Sequence, residues 1–366
     1  MTATAPEYFT DLDPFVDALL EKVGKKVVIA GGFGRPVHIF NALYKRAVAD
    51  PSIQLTMITG ASFCRPRGSS DLEKRFLDPF VDRVFGNLPE LDYVQPYMRG
   101  QLPENIEVVE VFLQAGAYMN NRHAQQNYVY SNFTHWLRDM VEQGCNVFSQ
   151  MTCKREIDGQ LVYSMSGDAY ALDILPRLQK LRDEGKAVAV IGQVNNELPF
   201  MYNDAIVPPE TYDFVLDHEQ YNHTLLGPPA PAVETADYMI GLNASALIPD
   251  GGTLQIGIGS LGDAITYGCI QRHEQNQRYR DVLTELGIVN NFGEIIEQVG
   301  SLEPFDTGLY GSTEMFADGF RHLYNHGILK RAVYDNLPLQ RLLNAGKIET
   351  SVTPATLDLL VEENLI

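Results

Sequence analysis

Cysteine is scarce in this 366-residue chain. Its four cysteines, Cys64, Cys145, Cys153 and Cys269, are spread widely and form no CxxC pair. That spacing suggests neither a zinc knuckle nor a disulfide framework, and a reducing cytoplasmic setting is its simplest reading. Long apolar runs are missing too. No stretch approaches the ~18 residues a membrane span needs, so no membrane partner is expected. Met1 to Asp13 has no basic segment leading into an apolar one. It carries acidic residues and no arginine, which argues against a secretory or mitochondrial leader. Positive charge is in deficit: 28 Lys and Arg stand against 47 Asp and Glu, a formal net charge of -19. That balance repels nucleic acid, and no basic cluster with interleaved aromatics overrides it locally. An anionic small molecule remains compatible, because backbone N–H groups at helix starts supply a local field of the right sign.

What is present is ordinary globular material. Apolar residues make up 45% of the chain and charged residues 20%, and the length suits about two domains. Strand-like runs alternate with helical patterns, the signature of parallel sheets in α/β domains. Lys26–Ala30 reads as a strand running into Gly31-Gly32-Phe33-Gly34-Arg35-Pro36 and a helix over 37–49. Further strands are expected at 54–59, 107–112, 127–131, 147–150, 187–192 and 212–216, with a helix over 173–184. Leu226 to Pro231 places three prolines in four positions, which no helix interior or central strand accepts. A domain boundary is therefore set near 228, giving domains 1–228 and 229–366. Beyond it come a helix over 233–247, a strand over 253–258 and a second strand candidate at 287–290. A final helix starts at Pro354 with Thr353 as N-cap. With so few strands the second domain's sheet is under-built, and the expectation is a domain cut short.

Two glycine turns follow strands and open helices. Gly257-Ile258-Gly259-Ser260-Leu261-Gly262 fits the local GxGxxG pattern. A dinucleotide site also needs a second strand ending in Asp or Glu about 20 residues on. Gln271 to Asp281 is polar instead. Two other readings stay open: a tight turn that tolerates no side chain, and a loop whose backbone approaches a substrate. Gly31 to Gly34 lacks the Lys-Ser or Lys-Thr of a Walker loop, and the same two readings apply. In Gly311-Ser312-Thr313-Glu314, local pattern alone favours a capped helix start with Glu314 as a first-turn acid.

Three stretches resemble the acetyl-CoA hydrolase/transferase family, within the family I CoA transferases. Leu247 to Gly259 reads LIPDGGTLQIGIG, close to the family's LIPDGxTLQxGIG. Tyr310 to Gly319 reads YGSTEMFADG, close to GIHSEMFSDG, with Ser312 where the family has His. Val194 to Asp204 is a looser match to VNPxMPxTxGD, with Asn203-Asp204 in place of Gly-Asp. The resemblance implies two doubly wound, mostly parallel α/β domains with the active site between them, the second incomplete here. It implies Glu314 as covalent nucleophile. Gly257, Gly259, Ser260 and Gly262, with Gly31, Gly32 and Gly34, would frame the acyl-CoA. Two further family elements, an Asn-containing strand and a Gly-Gly turn, are not found before Ile366, so little turnover is expected of this chain alone.

The implied reaction transfers CoA between an acyl-CoA and a small carboxylic acid through a glutamyl-CoA thioester, or hydrolyses acyl-CoA when water is the acceptor. CoA is then a substrate. No tightly bound cofactor and no metal are called for, and a homo-oligomer is compatible. The alternatives are an NAD-dependent oxidoreductase built on the 257–262 loop and a catalytically silent fragment. His322 and His326 share a helix face at zinc-ligand spacing, but no third ligand accompanies them and a solvated face is the better reading. Asp217, His218 and His223 read as polar contacts between domains. Ser260 does not sit in a GxSxG elbow.

Overall fold

The structure, a computed structural model, describes residues 5–132, 134–165, 167, 171–227, 230–313 and 315–365. The chain divides into two compact units, Met1–Pro228 and Pro229–Ile366.

The first unit runs β1 (Glu7–Phe9), α1 (Leu12–Val23), β2 (Lys26–Gly31), α2 (Val37–Ala49), β3 (Gln54–Gly60), α3 (Asp71–Phe85), α4 (Val94–Met98), β4 (Ile106–Phe112), α5 (Arg122–Gln126), α6 (Trp136–Glu142), β5 (Val147–Ile157), β6 (Gln160–Ser164), α7 (Ala171–Asp183), β7 (Ala189–Val194), β8 (Ile206–Val207) and β9 (Phe214–Leu216). Seven strands form a parallel sheet in the order β1-β9-β7-β5-β2-β3-β4. Both faces are covered, as a parallel sheet requires. Val27, Ile29, Leu55 and Met57 pack on one side with Phe15 and Leu19 of α1 and Ile39 and Phe40 of α2. Val28, Ala30, Ile58 and Val190 pack on the other with Trp136 and Met140 of α6 and Ile174 and Leu178 of α7. Near-continuous apolar strands follow from this double burial.

The chain leaves β2 for β3 on one side and returns to β5 on the other, so the strand order reverses between β2 and β5. Ligands of open α/β sheets gather outside the carboxyl ends of strands at such a point. β5 then overruns the sheet, and its second half pairs antiparallel with β6, which pairs antiparallel with β8. The expected strand at 127–131 is reduced to one bridge between Tyr128 and Glu110.

The second unit contains α8 (Thr235–Ala246), β10 (Thr253–Gln255), α9 (Ser260–Glu274), α10 (Asn276–Glu285), α11 (Ile288–Val299), β11 (Tyr310–Ser312), α12 (Asp318–Asn325), α13 (Leu337–Asn344) and α14 (Pro354–Glu362). Its described sheet has two parallel strands, β10 and β11. A sheet this short fits the under-built second domain expected from the sequence. The strand read at 287–290 is instead the start of α11. Gly287 adopts φ +72°, and the chain turns into a helix whose Ile288 and Ile296 are buried. Helices α8 and α9 pack at backbone contact. A Cβ on Gly241 would meet the Ala264 carbonyl at 2.3 Å, and one on Gly268 the Gly241 carbonyl at 2.7 Å. Arg272 of α9 is fully buried. It donates to the carbonyls of Glu303, Ser245 and Ile248 and lies 4.1 Å over the Phe305 ring.

Candidate functional site

In the first unit, Gly31 ends β2 at the point where the strand order reverses. The glycines here are explained by packing. A Cβ on Gly31 would meet Phe40 at 2.8 Å, and one on Gly34 the Gly167 carbonyl at 2.7 Å. The Gly34 carbonyl also accepts the amide of Met151 on β5 at 2.7 Å. Gly32 is buried between them. One residue that the motifs did not flag holds this region. Arg35, 3% exposed, donates to the carbonyls of Gly32 (2.8 Å), Gly60 (2.6 Å) and Ala61 (2.7 Å) and to the Tyr93 hydroxyl (3.3 Å). It fastens the loop after β2 to the loop after β3. Glu110, fully buried, accepts the Ser62 amide at 3.1 Å from below. Burial raises its pKa, while Ser62 and Arg35 pull it back down.

A second buried polar group surrounds the end of β7. Gln193 contacts His38 Nδ1 at 3.1 Å, and Asn195 donates to the His223 carbonyl at 2.9 Å. Burial first, then the neighbouring His223, lowers the His38 pKa to about 4; the Gln193 contact opposes this. His223 is lowered by burial as well. His223, Asp217 and His218 have partners within the first unit: His223 is held by Asn195, Asp217 pairs with Lys154, and His218 accepts the Gln220 amide.

In the second unit, two of the sequence motifs come together. β10 and β11 run parallel with Gln255 beside Ser312. The residues that follow each strand are therefore neighbours: the turn Gly257 to Gly262 after β10, and Thr313 after β11. Thr313 Oγ1 lies 3.1 Å from the Ile256 carbonyl, to which it donates. Glu314 itself lies outside the described residues, and its flanking residues Thr313 and Met315 are described. The glycines of this turn divide into two kinds. Gly262 is demanded by close approach, since its Cβ would lie 2.4 Å from the Gly257 carbonyl. Gly257 and Gly259 face open space, and Gly259 adopts φ +125°. Ser260 is the first residue of α9, a helix with no side-chain cap. The amides of its first turn are thus free of a capping side chain and suit an anionic group. Beside Thr313 opens a cleft of about 390 Å³ walled by Phe316, Phe320 and Tyr324, with Lys330 and Arg331 also lining it.

The dinucleotide alternative loses support here, because the region around Asp281 that would have to supply its second strand is helix α10. His326 bonds Glu274 at 2.6 Å, and His322 lies 3.8 Å from Asp318, so both imidazoles face carboxylates. Among the described residues, no group of three or more His, Cys, Asp or Glu is placed to hold a metal, and no helix is long and apolar enough to cross a membrane.

Parts of this chain are similar to known proteins. No family model matches the chain. A stretch of 79 residues is 34% identical to 4-hydroxybutyrate coenzyme A transferase of Clostridium kluyveri, covering 22% of this chain and 18% of that protein. That stretch and the solved structures below support a likeness to CoA transferases. Among solved structures, RipA from Yersinia pestis superposes with a TM-score of 0.55 at 17% identity, over 88% of this chain and 59% of RipA, and shows the shared fold. A 4-hydroxybutyrate CoA-transferase from Porphyromonas gingivalis aligns at a TM-score of 0.47 and 18% identity, over 88% of this chain and 58% of its own. The chain spans less than a fifth of the curated relative it matches and about three fifths of the solved structures.

Proposed function

We propose that this protein transfers coenzyme A between an acyl-CoA and a carboxylic acid, as a member of the acetyl-CoA hydrolase/transferase branch, with Glu314 as nucleophile. The observation that carries this reading is the Thr313–Ile256 hydrogen bond. It ties the residue before Glu314 to the mouth of the open-faced glycine turn, so the two most specific family motifs share one location.

The chemistry needs no redox step. A Glu314 carboxylate oxygen attacks the thioester carbon, the C–S bond breaks, and CoA leaves as thiolate with an acyl-glutamyl anhydride behind it. The thiolate then attacks the glutamyl carbonyl of that anhydride. A C–O bond breaks, and the free acid departs from a glutamyl-CoA thioester. A second carboxylate reverses both steps and carries CoA away. A carboxylate is a weak nucleophile, so holding it in line with the thioester is the main contribution asked of the protein. Oxyanion stabilisation falls to backbone N–H groups, and the uncapped first turn of α9 beside Gly257 and Gly259 is suited to it. The cleft at Thr313 has the size for a small acyl group, and Lys330 and Arg331 carry the charge to attract a carboxylate.

The test is isotope exchange. Acetyl-CoA mixed with a labelled carboxylic acid should yield labelled acyl-CoA in the presence of an intact version of the enzyme, and Glu314→Gln should abolish it. Exchange that persists in Glu314→Gln at the parent rate excludes this residue as nucleophile.

A further inference from the structure

The cleft in the second unit is built on a glycine. Gly311 is the middle residue of β11, and a Cβ there would meet Phe320 Cε1 at 2.6 Å and Leu329 Cδ1 at 3.1 Å. The Phe320 ring and Leu329 therefore lie against the strand itself and form an apolar floor. Tyr324 is four residues beyond Phe320 on α12, so the two share a helix face. Phe316 comes in from the residues just before that helix. Phe320 is buried, but Phe316 is 65% exposed and Tyr324 70% exposed, although both wall the cleft. Two large rings thus stand in water at the edge of one concave space. Exposed apolar surface gathered in this way marks a ligand groove or an interaction site.

Positive charge meets the same cleft. Lys330 and Arg331 are consecutive, and both line it. The Lys330 stem lies across Gly308, where a Cβ would meet its Cγ at 2.5 Å. Arg331 Nη1 reaches Thr253 Oγ1 at a long 3.5 Å. Among the described residues neither cation pairs with a carboxylate. The chain has 47 Asp and Glu against 28 Lys and Arg, so acidic partners are plentiful and two adjacent unpaired cations are unusual in it. The strand adds a neutral donor. The Tyr310 amide donates to the Gly252 carbonyl, on the β10 side. Successive amides of a strand face opposite edges, so the Gly311 amide faces away from β10, on a residue that lines the cleft.

This lining recognises a flat apolar ring together with a carboxylate. The volume agrees. The cleft measures about 390 Å³, whereas a cavity of about 150 Å³ already holds benzene. An acid the size of acetate would leave the aromatic walls in water. We propose that the cleft binds an arylalkanoate, a carboxylic acid with an aromatic ring a few bonds from its carboxylate. The ring packs on Phe316 and Tyr324, and the carboxylate takes donors from Lys330 and Arg331. The binding stands on the cleft alone. That the bound acid is a substrate for CoA transfer rests on the transferase reading.

The experiment is calorimetric titration of the full chain with phenylacetate, acetate and phenylethanol. Phenylacetate should bind about 10-fold or more tighter than either of the others, the step expected from burying a ring or making one charge-assisted hydrogen bond. Tyr324→Ala should close most of the gap between phenylacetate and acetate. Lys330→Gln should weaken phenylacetate about 10-fold and bring it toward phenylethanol. Both side chains are exposed, so the melting temperature should not move in either variant. Equal affinity for phenylacetate and acetate, no binding of phenylacetate, or undiminished binding in both variants overturns the proposal. The nucleotide end of CoA, adenosine bisphosphate, also carries a ring and an anion. If it displaces phenylacetate and loses affinity in the same two variants, the cleft is a nucleotide site and the proposal falls. Binding is read without turnover. Exchange of CoA without ring-dependent binding overturns the ligand class alone, and ring-dependent binding without exchange overturns the transfer reaction alone.

Discussion

A Cβ on residue 262 would lie 2.4 Å from the carbonyl oxygen of Gly257, so the turn from β10 into α9 closes only with glycine at 262. At Gly257 the same construction meets nothing within 4 Å. The two glycines therefore answer different demands, and substitution should separate them. Gly262→Ala should lower unfolding free energy by about 1–3 kcal/mol, the usual range for overpacking against atoms that cannot move away. Gly257→Ala should leave the denaturation midpoint nearly unchanged and weaken acyl-CoA binding, because the methyl group projects into the space assigned to the ligand. Urea titration and calorimetric binding read the two effects. Equal stability losses at both positions would show that Gly257 is structural too.

Arg35 should be among the least replaceable residues of the first unit. Its guanidinium is buried and reaches three carbonyls and a tyrosine hydroxyl across the ends of β2 and β3. Arg35→Met would strand those acceptors without donors, at a cost of about 3 kcal/mol or more. Arg35→Lys keeps the charge but has no planar fork to span Gly60 and Ala61, so it should recover little of the loss. Chemical denaturation of the three proteins checks the order wild type, then lysine, then methionine.

Much of the first unit was legible in the sequence because burial on both faces leaves unmixed apolar strands. The α2 limits, Val37–Ala49, follow from a strand, a glycine turn, a proline and an amphipathic run. The longer reach of β5 was hidden. Lys154, Arg155 and Glu156 leave the buried sheet for an exposed antiparallel pair with β6, so their polarity reads as loop. β11 was missed for a related reason. Tyr-Gly-Ser has little strand character of its own and is extended because Thr253 to Gln255 lies beside it. At the site, the glycine turn and the Glu314 segment were visible as motifs. Arg35 was not, because its four partners come from positions 32, 60, 61 and 93 and only folding brings them together.

Acid should weaken the first unit through His38. Its pKa is near 4 in the folded chain and 6.5 in the ordinary state. Between those values the unfolded chain binds a proton that the folded chain refuses, so stability falls as pH drops from about 6.5 to 4 and levels off below. His38→Gln should flatten that slope in melting temperature against pH. His223, also held neutral by burial, keeps part of it. An unchanged slope in the variant would assign the acid sensitivity to other groups.

The most direct measurement is mass spectrometry of the protein after acyl-CoA and borohydride, with a control that omits acyl-CoA. A glutamyl thioester is reduced by borohydride and a free carboxylate is not. The account predicts a mass change confined to Glu314, dependent on acyl-CoA and absent in Glu314→Gln. An unmodified Glu314 in protein that still transfers CoA would contradict it.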